Sequence, residues 1–430
     1  MGNSNTIDSK DKINKSFTLC PLIKERTLLK EKKIVSNIIS CLGVIKYNNE
    51  EFILIGYDYG KIEIFDSHTL ESVAEDHNEI QMNEYLRYVA QLLNEEIIIV
   101  SQDYVRIYAF YLDEICSYTE EVKYCYNIKL LQKIYDPFRK SYNIDKVKFS
   151  KAFYFDSSLY REYDIYQMEK EKNMKKKNPN YKKIYPNNEE LIIGSHLGIF
   201  IYKRDNSEEI SENGDTEQCS INEKNENNGN NKKKFDIYSC LEKWESNPFL
   251  YHKQLSKYDT FDIIQVNFKY IAGTIEKYLC LYSMETYELV TKFSIKISDD
   301  CDSVIFMLKE DILCVGGDDT ISLISIKKFE VILECLIKDN YRITEICILP
   351  DLNILIGMQK KYKGGFEHQE YFYQYKCFHK VNTITKEMEY DILQVSSKLL
   401  TENESNITMR RLSNNGLVTV VDLTLIQVWE

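Results

Sequence analysis

The chain has 430 residues, 43% of them hydrophobic and 13% aromatic, with 33 Tyr and a formal net charge of -12 at pH 7. That length admits two or three ordinary domains or one large repeat array. The acidic balance argues against a dedicated nucleic-acid binder, which needs a basic face against phosphate. The 12 Cys include no C-x-x-C pair, and Cys280, Cys314 and Cys347 sit inside apolar runs. Buried free thiols in a reduced, cytoplasmic setting are expected, and a zinc site or disulfide framework is not. No apolar run approaches the roughly 18 residues of a membrane helix.

Residues 1–26 read as a flexible tail. They hold no apolar core, so they do not read as a secretory signal. "MGNSNT" fits the M-G-x-x-x-[ST] pattern for N-myristoylation, with Gly2 as the acyl acceptor and Thr6 as the recognition hydroxyl. One myristoyl chain binds a membrane only marginally, so a second signal is needed. Lys10, Lys12 and Lys15 are candidate membrane-contacting bases, each adding about 1 kcal/mol near an anionic leaflet. The later "KKKNPNYKK" segment could add to them, although a solvated loop is the simpler reading.

From residue 27 onward the signal is β. "TLLKEKKIVSN" (27–37) is followed by "ISCLGVIKY" and then "ILIGYDYGKIEIFD" (53–66), an apolar strand, a tight turn and an alternating strand. The same unit returns as "IIVSQDYVRIYAF" (98–110), "LIIGSHLGIFIYKR" (191–204), "YIAGTIEKYLCLYSM" (270–284) and "ILCVGGDDTISLIS" (312–325). It returns again in "ILIGMQKKYKGGFEHQEYFYQYKC" (354–377) and "VTVVDLTLIQVWE" (418–430). The alternating strand usually ends on an aromatic residue: Phe65, Tyr108, Tyr202, Tyr282 or Trp429. A further apolar strand precedes each unit, and a fourth usually follows. Seven units of four strands predict an all-β, seven-bladed β-propeller, because stacking blades about an axis buries sheet faces that one sheet cannot bury alone. A β-sandwich of hairpins is the alternative. Three insertions break the period: 157–188, the Asn/Glu-rich stretch 205–233, expected to be disordered, and 359–370, which lengthens a hairpin.

"YGKIEIFD" and "IQVWE" resemble the D-G-x-I-x-φ-W-D signature of the WD40-repeat family, with Phe65-Asp66 and Trp429-Glu430 standing where Trp-Asp is usual. "GGDDTISLIS" keeps the turn aspartate, Asp318, but has Ile324-Ser325 in place of Trp-Asp, and the family's Gly-His dipeptide is absent. The resemblance, over residues 27–430, implies a ring clasped by an amino-terminal strand. The chain reaches Glu430 directly after the third strand of its seventh unit, so residues 27–37 are expected to supply the missing outer strand, with Ile34 and Val35 inside it.

Catalytic patterns are missing. The histidines (His68, His77, His196, His252, His368, His379) are scattered, and no H-E-x-x-H, P-loop, G-x-S-x-G or G-x-G-x-x-G occurs. Asp318-Asp319, His196 and Gly364-Gly365 read as turn residues, and the sequons at Asn403 and Asn406 as chance matches in an Asn-rich chain. Arg410-Arg411 lacks the Phe and Gly that flank such a pair in a phosphoinositide-binding relative of the fold, and reads as exposed charge on a blade edge. No catalytic, metal or cofactor site and no small-molecule substrate are expected. The expected function is a non-catalytic scaffold or adaptor for protein partners, cytoplasmic and tethered to a membrane through Gly2. The alternative is a structural subunit of a large soluble trafficking, cytoskeletal or RNA-processing assembly with no lipid anchor.

Overall fold

The computed structural model describes residues 26–35, 37–76, 86–92, 96–101, 104–116, 122–135, 149–155, 190–204, 248–295, 304–309, 311–317, 319–337, 341–362, 365–381, 388–401, 408–414, 416–421 and 423–430. Every regular element among them is a strand. After β1 (Leu28–Lys33), blade 1 holds β2 (Ile39–Tyr47), β3 (Glu50–Tyr57), β4 (Ile62–Asp66) and β5 (Ser72–Asp76). Blade 2 holds β6 (Leu86–Gln91), β7 (Glu96–Ser101), β8 (Tyr104–Cys116) and β9 (Val122–Tyr135). Blade 3 holds β10 (Phe149–Phe155), β11 (Glu190–Ser195), β12 (Gly198–Arg204) and β13 (Phe249–Ser256). Blade 4 is β14 (Thr260–Gln265), β15 (Tyr270–Ile275), β16 (Tyr278–Ser283) and β17 (Leu289–Ser294). Blade 5 is β18 (Val304–Lys309), β19 (Ile312–Gly316), β20 (Thr320–Ser325) and β21 (Glu330–Leu336). Blade 6 is β22 (Tyr341–Leu349), β23 (Asn353–Tyr362), β24 (Gly365–Val381) and β25 (Met388–Thr401). Blade 7 takes β26 (Thr408–Arg411), β27 (Leu417–Val421) and β28 (Leu425–Trp429), with β1 as its fourth strand.

Each blade is an antiparallel sheet in simple sequential order. The first strands pack on one another around the axis, and β26 touches β2, so the ring is closed. The apolar core divides accordingly into seven layers, one between each pair of neighbouring blades. Second strands such as β7 (EIIIVS) and β11 (ELIIGS) are buried at every position. Such β-branched runs suit a strand covered on both faces. The third-strand aromatics Phe65, Tyr108, Tyr202, Tyr282 and Trp429 are all buried, although β8 continues past Tyr108 to Cys116.

The closing strand exists, but its boundaries correct the sequence reading. Leu28 to Lys33 pairs with β28, and Thr27 and Glu430 exchange backbone hydrogen bonds at 3.0 and 3.1 Å. Ile34 and Val35 lie beyond it. Ile34 still donates its N–H to Thr424 O at 2.7 Å and packs half-buried on the layer between blades 7 and 1, whereas Val35 is 92% exposed. The strand itself is the charged LLKEKK, which suits an outer edge that faces water and must resist pairing with another chain. Lys32 lies over the Phe65 ring and donates to Leu70 O, and Lys30 donates to His68 O, so β1 also holds blade 1.

The turns between third and fourth strands show why the repeats survive without Trp-Asp. Asp66 Oδ1 accepts from the N–H groups of His68 (2.8 Å) and Thr69 (2.6 Å). Ser283 Oγ accepts from Glu285 and Thr286 N–H, and Ser325 Oγ from Lys328 N–H. Four residues after each capping oxygen stands a left-handed residue, Leu70, Tyr287 or Phe329, with φ of 59, 58 and 54°. Serine therefore closes the same turn as aspartate, and the Ile324-Ser325 replacement costs the turn nothing in geometry. A bulge sits just before this turn in blades 1, 4 and 5 and midway along the β8–β9 hairpin of blade 2, so Ile64, Leu281, Leu323 and Ile107 occupy equivalent positions. That common alignment preserves which side chains face each neighbour.

Blades 2 and 6 depart from the common pattern. The β8–β9 hairpin runs on through Cys116 and Val122, with Phe110 and Tyr126 packing edge-on against Phe52 of blade 1. In blade 6, β23 and β24 stay paired to Tyr362 and Gly365, and β24 and β25 to Val381 and Met388. Most of 359–370 is thus strand. The segments 157–188 and 205–233 lie outside the described residues.

Candidate functional site

The first strands line the axis, and five of them carry a bulge near their start, in β2, β6, β10, β14 and β22. A bulge re-aims the residue that follows it. Those residues are Cys41, Tyr88, Lys151, Asp262 and Glu345, at equivalent places near one mouth of the channel. Arg410 joins them from the second half of β26.

These groups form two ion pairs across blade boundaries. Lys151 Nζ of blade 3 lies 2.9 Å from Asp262 Oδ1 of blade 4, and Arg410 of blade 7 lies 3.3 Å from Glu345 Oε2 of blade 6. Asp262 also accepts the N–H of Ile305 in blade 5 at 2.8 Å and that of Ile263 at 2.8 Å. It thereby ties three blades. The Lys151 ammonium lies over the rings of Tyr88 and Phe306 at 5.4 and 5.8 Å. Burial works against its charge, but Asp262 and Tyr88 outweigh it and hold its pKa above the ordinary lysine value. Burial also opposes the charge of Arg410, and Glu345 outweighs it. Glu345 is pushed up by burial, against the pull of Arg410 and Lys151. Two cations and two anions cancel.

Chemically, this ring can brace blades more readily than it can turn over a substrate. Among the described residues, no three His, Cys, Asp or Glu converge as a metal site would require. The neighbouring thiols are poor nucleophiles: burial pushes Cys41 and Cys347 up to about 12, so both stay protonated at neutral pH. Cys280, Cys314 and Cys347 are free and buried.

The sequence reading of Arg410 is corrected here. Arg411 is exposed, but Arg410 is half-buried and paired with Glu345, because the first strand of a blade faces the channel and not the rim. Lys151, Asp262 and Glu345 were not singled out in the sequence. Their signal is one charged residue entering an apolar run, as in "SKAFYF", "TFDIIQ" and "ITEICIL", and it becomes visible only when the blades are aligned by their bulges. Gly2, Thr6, Lys10, Lys12 and Lys15 lie outside the described residues, as do Asp318, Asn403 and Asn406. Asp319 accepts the N–H of Ile337 and a hydrogen bond from Thr320 Oγ1, and His196 sits in the turn between β11 and β12, as expected of turn residues.

A closed ring of seven four-stranded blades, with capped turns behind the third strands of blades 1, 4 and 5, defines a WD40-like β-propeller. A chain in the crystal structure of the mitotic checkpoint complex superposes on it with a TM-score of 0.52, over 96% of this chain and 98% of that one. The two are 8% identical, so the likeness concerns the fold alone. As many as 1008 solved chains resemble it, a breadth that points to no single activity. No family model and no curated protein matches the sequence.

Proposed function

We propose that this chain is a non-catalytic scaffold that holds protein partners on the faces and rim of its propeller, in the cytoplasm, tethered to a membrane by N-myristoylation of Gly2. One observation carries the non-catalytic part: the charges at the channel mouth are spent on each other across blade boundaries. An enzyme would instead keep an acid, base or nucleophile poised for substrate. A rigid ring with loops on two faces suits simultaneous contacts. That a chain of the same fold occurs in a multiprotein complex agrees with this reading.

The tether rests on the "MGNSNT" pattern and the nearby bases Lys10, Lys12 and Lys15. Fractionation of native cells tests both parts. The full chain should sediment with protein partners as a heavy species, and mass spectrometry should find myristate on Gly2. Membrane recovery should be lost in Gly2→Ala. A lone chain in every fraction defeats the scaffold, and an unmodified Gly2 defeats the tether. A heavy soluble complex that Gly2→Ala leaves unchanged would mark a subunit of a large assembly without an anchor.

A further inference from the structure

Neighbouring blades bridge the outer part of their seams in different ways. β5 packs beside β9, and β21 beside β25. Gln132 of β9 exchanges two hydrogen bonds with the Phe249 backbone of β13, and Lys30 and Lys32 of β1 reach blade 1. Blades 3 and 4 meet instead at Tyr287, in the turn before β17. Its hydroxyl donates to Glu190 Oε1 at 2.5 Å and accepts from Lys203 Nζ at 2.6 Å. Beyond that contact β13 and β17 stand as facing walls, and their register fixes which side chains line the seam. Leu250 and Lys253 lie opposite Lys203 and Ile201, on the side of blade 3 that packs against blade 4. Leu289 and Lys292 lie opposite Tyr282 and Cys280, on the side of blade 4 that packs against blade 3. Both pairings already include the bulges at His252 and Val290. The walls stand apart: Leu250 is 54% and Leu289 51% exposed, and Lys253 and Lys292 are exposed with them.

Each wall carries the same two features, a leucine near the Tyr287 end and a lysine further along. Lys253 lies over the Tyr287 ring at 5.2 Å and Lys292 over the Tyr278 ring at 4.6 Å, and neither forms an ion pair among the described residues. The acid on the floor, Glu190, is taken by Lys203 at 2.8 Å and by Tyr287. Glu276, Glu285 and Glu288 stand in the turns beyond the walls. We infer that the seam between blades 3 and 4 is a docking groove for an acidic segment of a partner protein. An aliphatic residue of that segment sits between Leu250 and Leu289, and its carboxylates lie beside Lys253 and Lys292. Charge sets the sign of the partner. The chain as a whole carries -12, yet this groove presents two cations that no carboxylate of the walls answers. Apolar contact anchors such a segment, while complementary charge steers it and turns away a basic one.

This inference deepens the scaffold reading and rests on it. The probe is a fluorescent peptide of two leucines followed by four glutamates, titrated into the full chain and followed by anisotropy. It should bind, and glutamine in place of its glutamates should weaken it on the order of tenfold. Lys253→Glu/Lys292→Glu, whose bases are exposed and whose melting point should be unchanged, should reverse the preference toward a leucine–lysine peptide. The milder Lys253→Gln/Lys292→Gln should abolish the preference. An equal charge reversal on blade 5, Lys327→Glu/Lys328→Glu, should leave binding within about twofold, which separates the groove from the field of the whole chain. Leu250→Ser/Leu289→Ser should weaken the glutamate peptide as well. No binding, or equal effects of the two charge reversals, would overturn the inference. So would binding that appears only after deletion of residues 205–217, which hold six acids and no base, or a dimer of the purified chain that Lys253→Glu/Lys292→Glu dissociates. Those two results would assign the groove to this chain or to its second copy. None of these outcomes bears on the partner content of the native heavy species, which is what decides the scaffold reading.

Discussion

The second and first strands of this propeller lie side by side, yet their physics differs. Strands such as β7 and β11 are buried throughout and carry no charge beyond their first residue. The adjacent first strands β10, β14, β22 and β26 hold Lys151, Asp262, Glu345 and Arg410 in pairs that span blade boundaries. The second strands contribute apolar burial that any β-branched sequence can provide, so they are interchangeable from blade to blade. The first strands assign each blade its neighbours, because each charge finds its partner on one particular blade. A repeat fold needs both, since identical blades stack equally well in any order.

The largest expected effect comes from opening the ring. Deleting residues 27–37 strips β28 of its outer pairing partner and removes the lysines that reach blade 1, so the melting temperature should fall steeply. An unchanged melting point would show that the clasp is dispensable. Next comes the apolar layer between blades 2 and 3, where Phe200 is fully buried. Phe200→Ala should cost about 3–5 kcal/mol in urea unfolding, and a loss below about 1 kcal/mol would mean the layer can collapse to fill the space.

Lys151 sharpens the comparison through pH. Its folded pKa is raised, so its contribution is fully present below roughly pH 10.4 and is lost as pH climbs through the higher folded value. Lys151→Met should therefore flatten the alkaline limb of the stability profile. An identical limb in both proteins would place the effect elsewhere. The smallest effect belongs to Asp66. Burial alone would raise its pKa, but hydrogen bonds from Thr69 and His68 hold it below the ordinary carboxylate range. Its contribution is present above roughly pH 3.9 and fades as pH falls through the lower folded value. Asp66→Ala should cost about 1 kcal/mol at neutral pH, whereas Asp66→Ser should keep most of the cap, as Ser283 and Ser325 do.

The blades were legible in the sequence because their signal is local. "ISCLGVIKY" is β2 to the residue, and the buried aromatics Phe65, Tyr202, Tyr282 and Trp429 lie within two residues of the ends of their third strands, whereas β8 runs eight residues past Tyr108. The clasp was legible in place but not in extent. Ile34 and Val35 look more strand-like than LLKEKK, yet an outer edge favours charge over β-propensity. The channel ring was not legible, because Arg410 and Glu345 lie 65 positions apart, and Lys151 and Asp262 still further. No spacing rule links residues that only ring closure brings together.

The paired charges Arg410 and Glu345 brace blades 6 and 7 against each other across the channel. A double-mutant cycle on Arg410→Met and Glu345→Gln, read by urea unfolding of the full chain, tests it most directly. Each single change should destabilise the protein, and the pair should show a favourable coupling of about 1–3 kcal/mol. Additive changes, or a single substitution that leaves stability intact while abolishing binding or turnover of a small molecule, would contradict it.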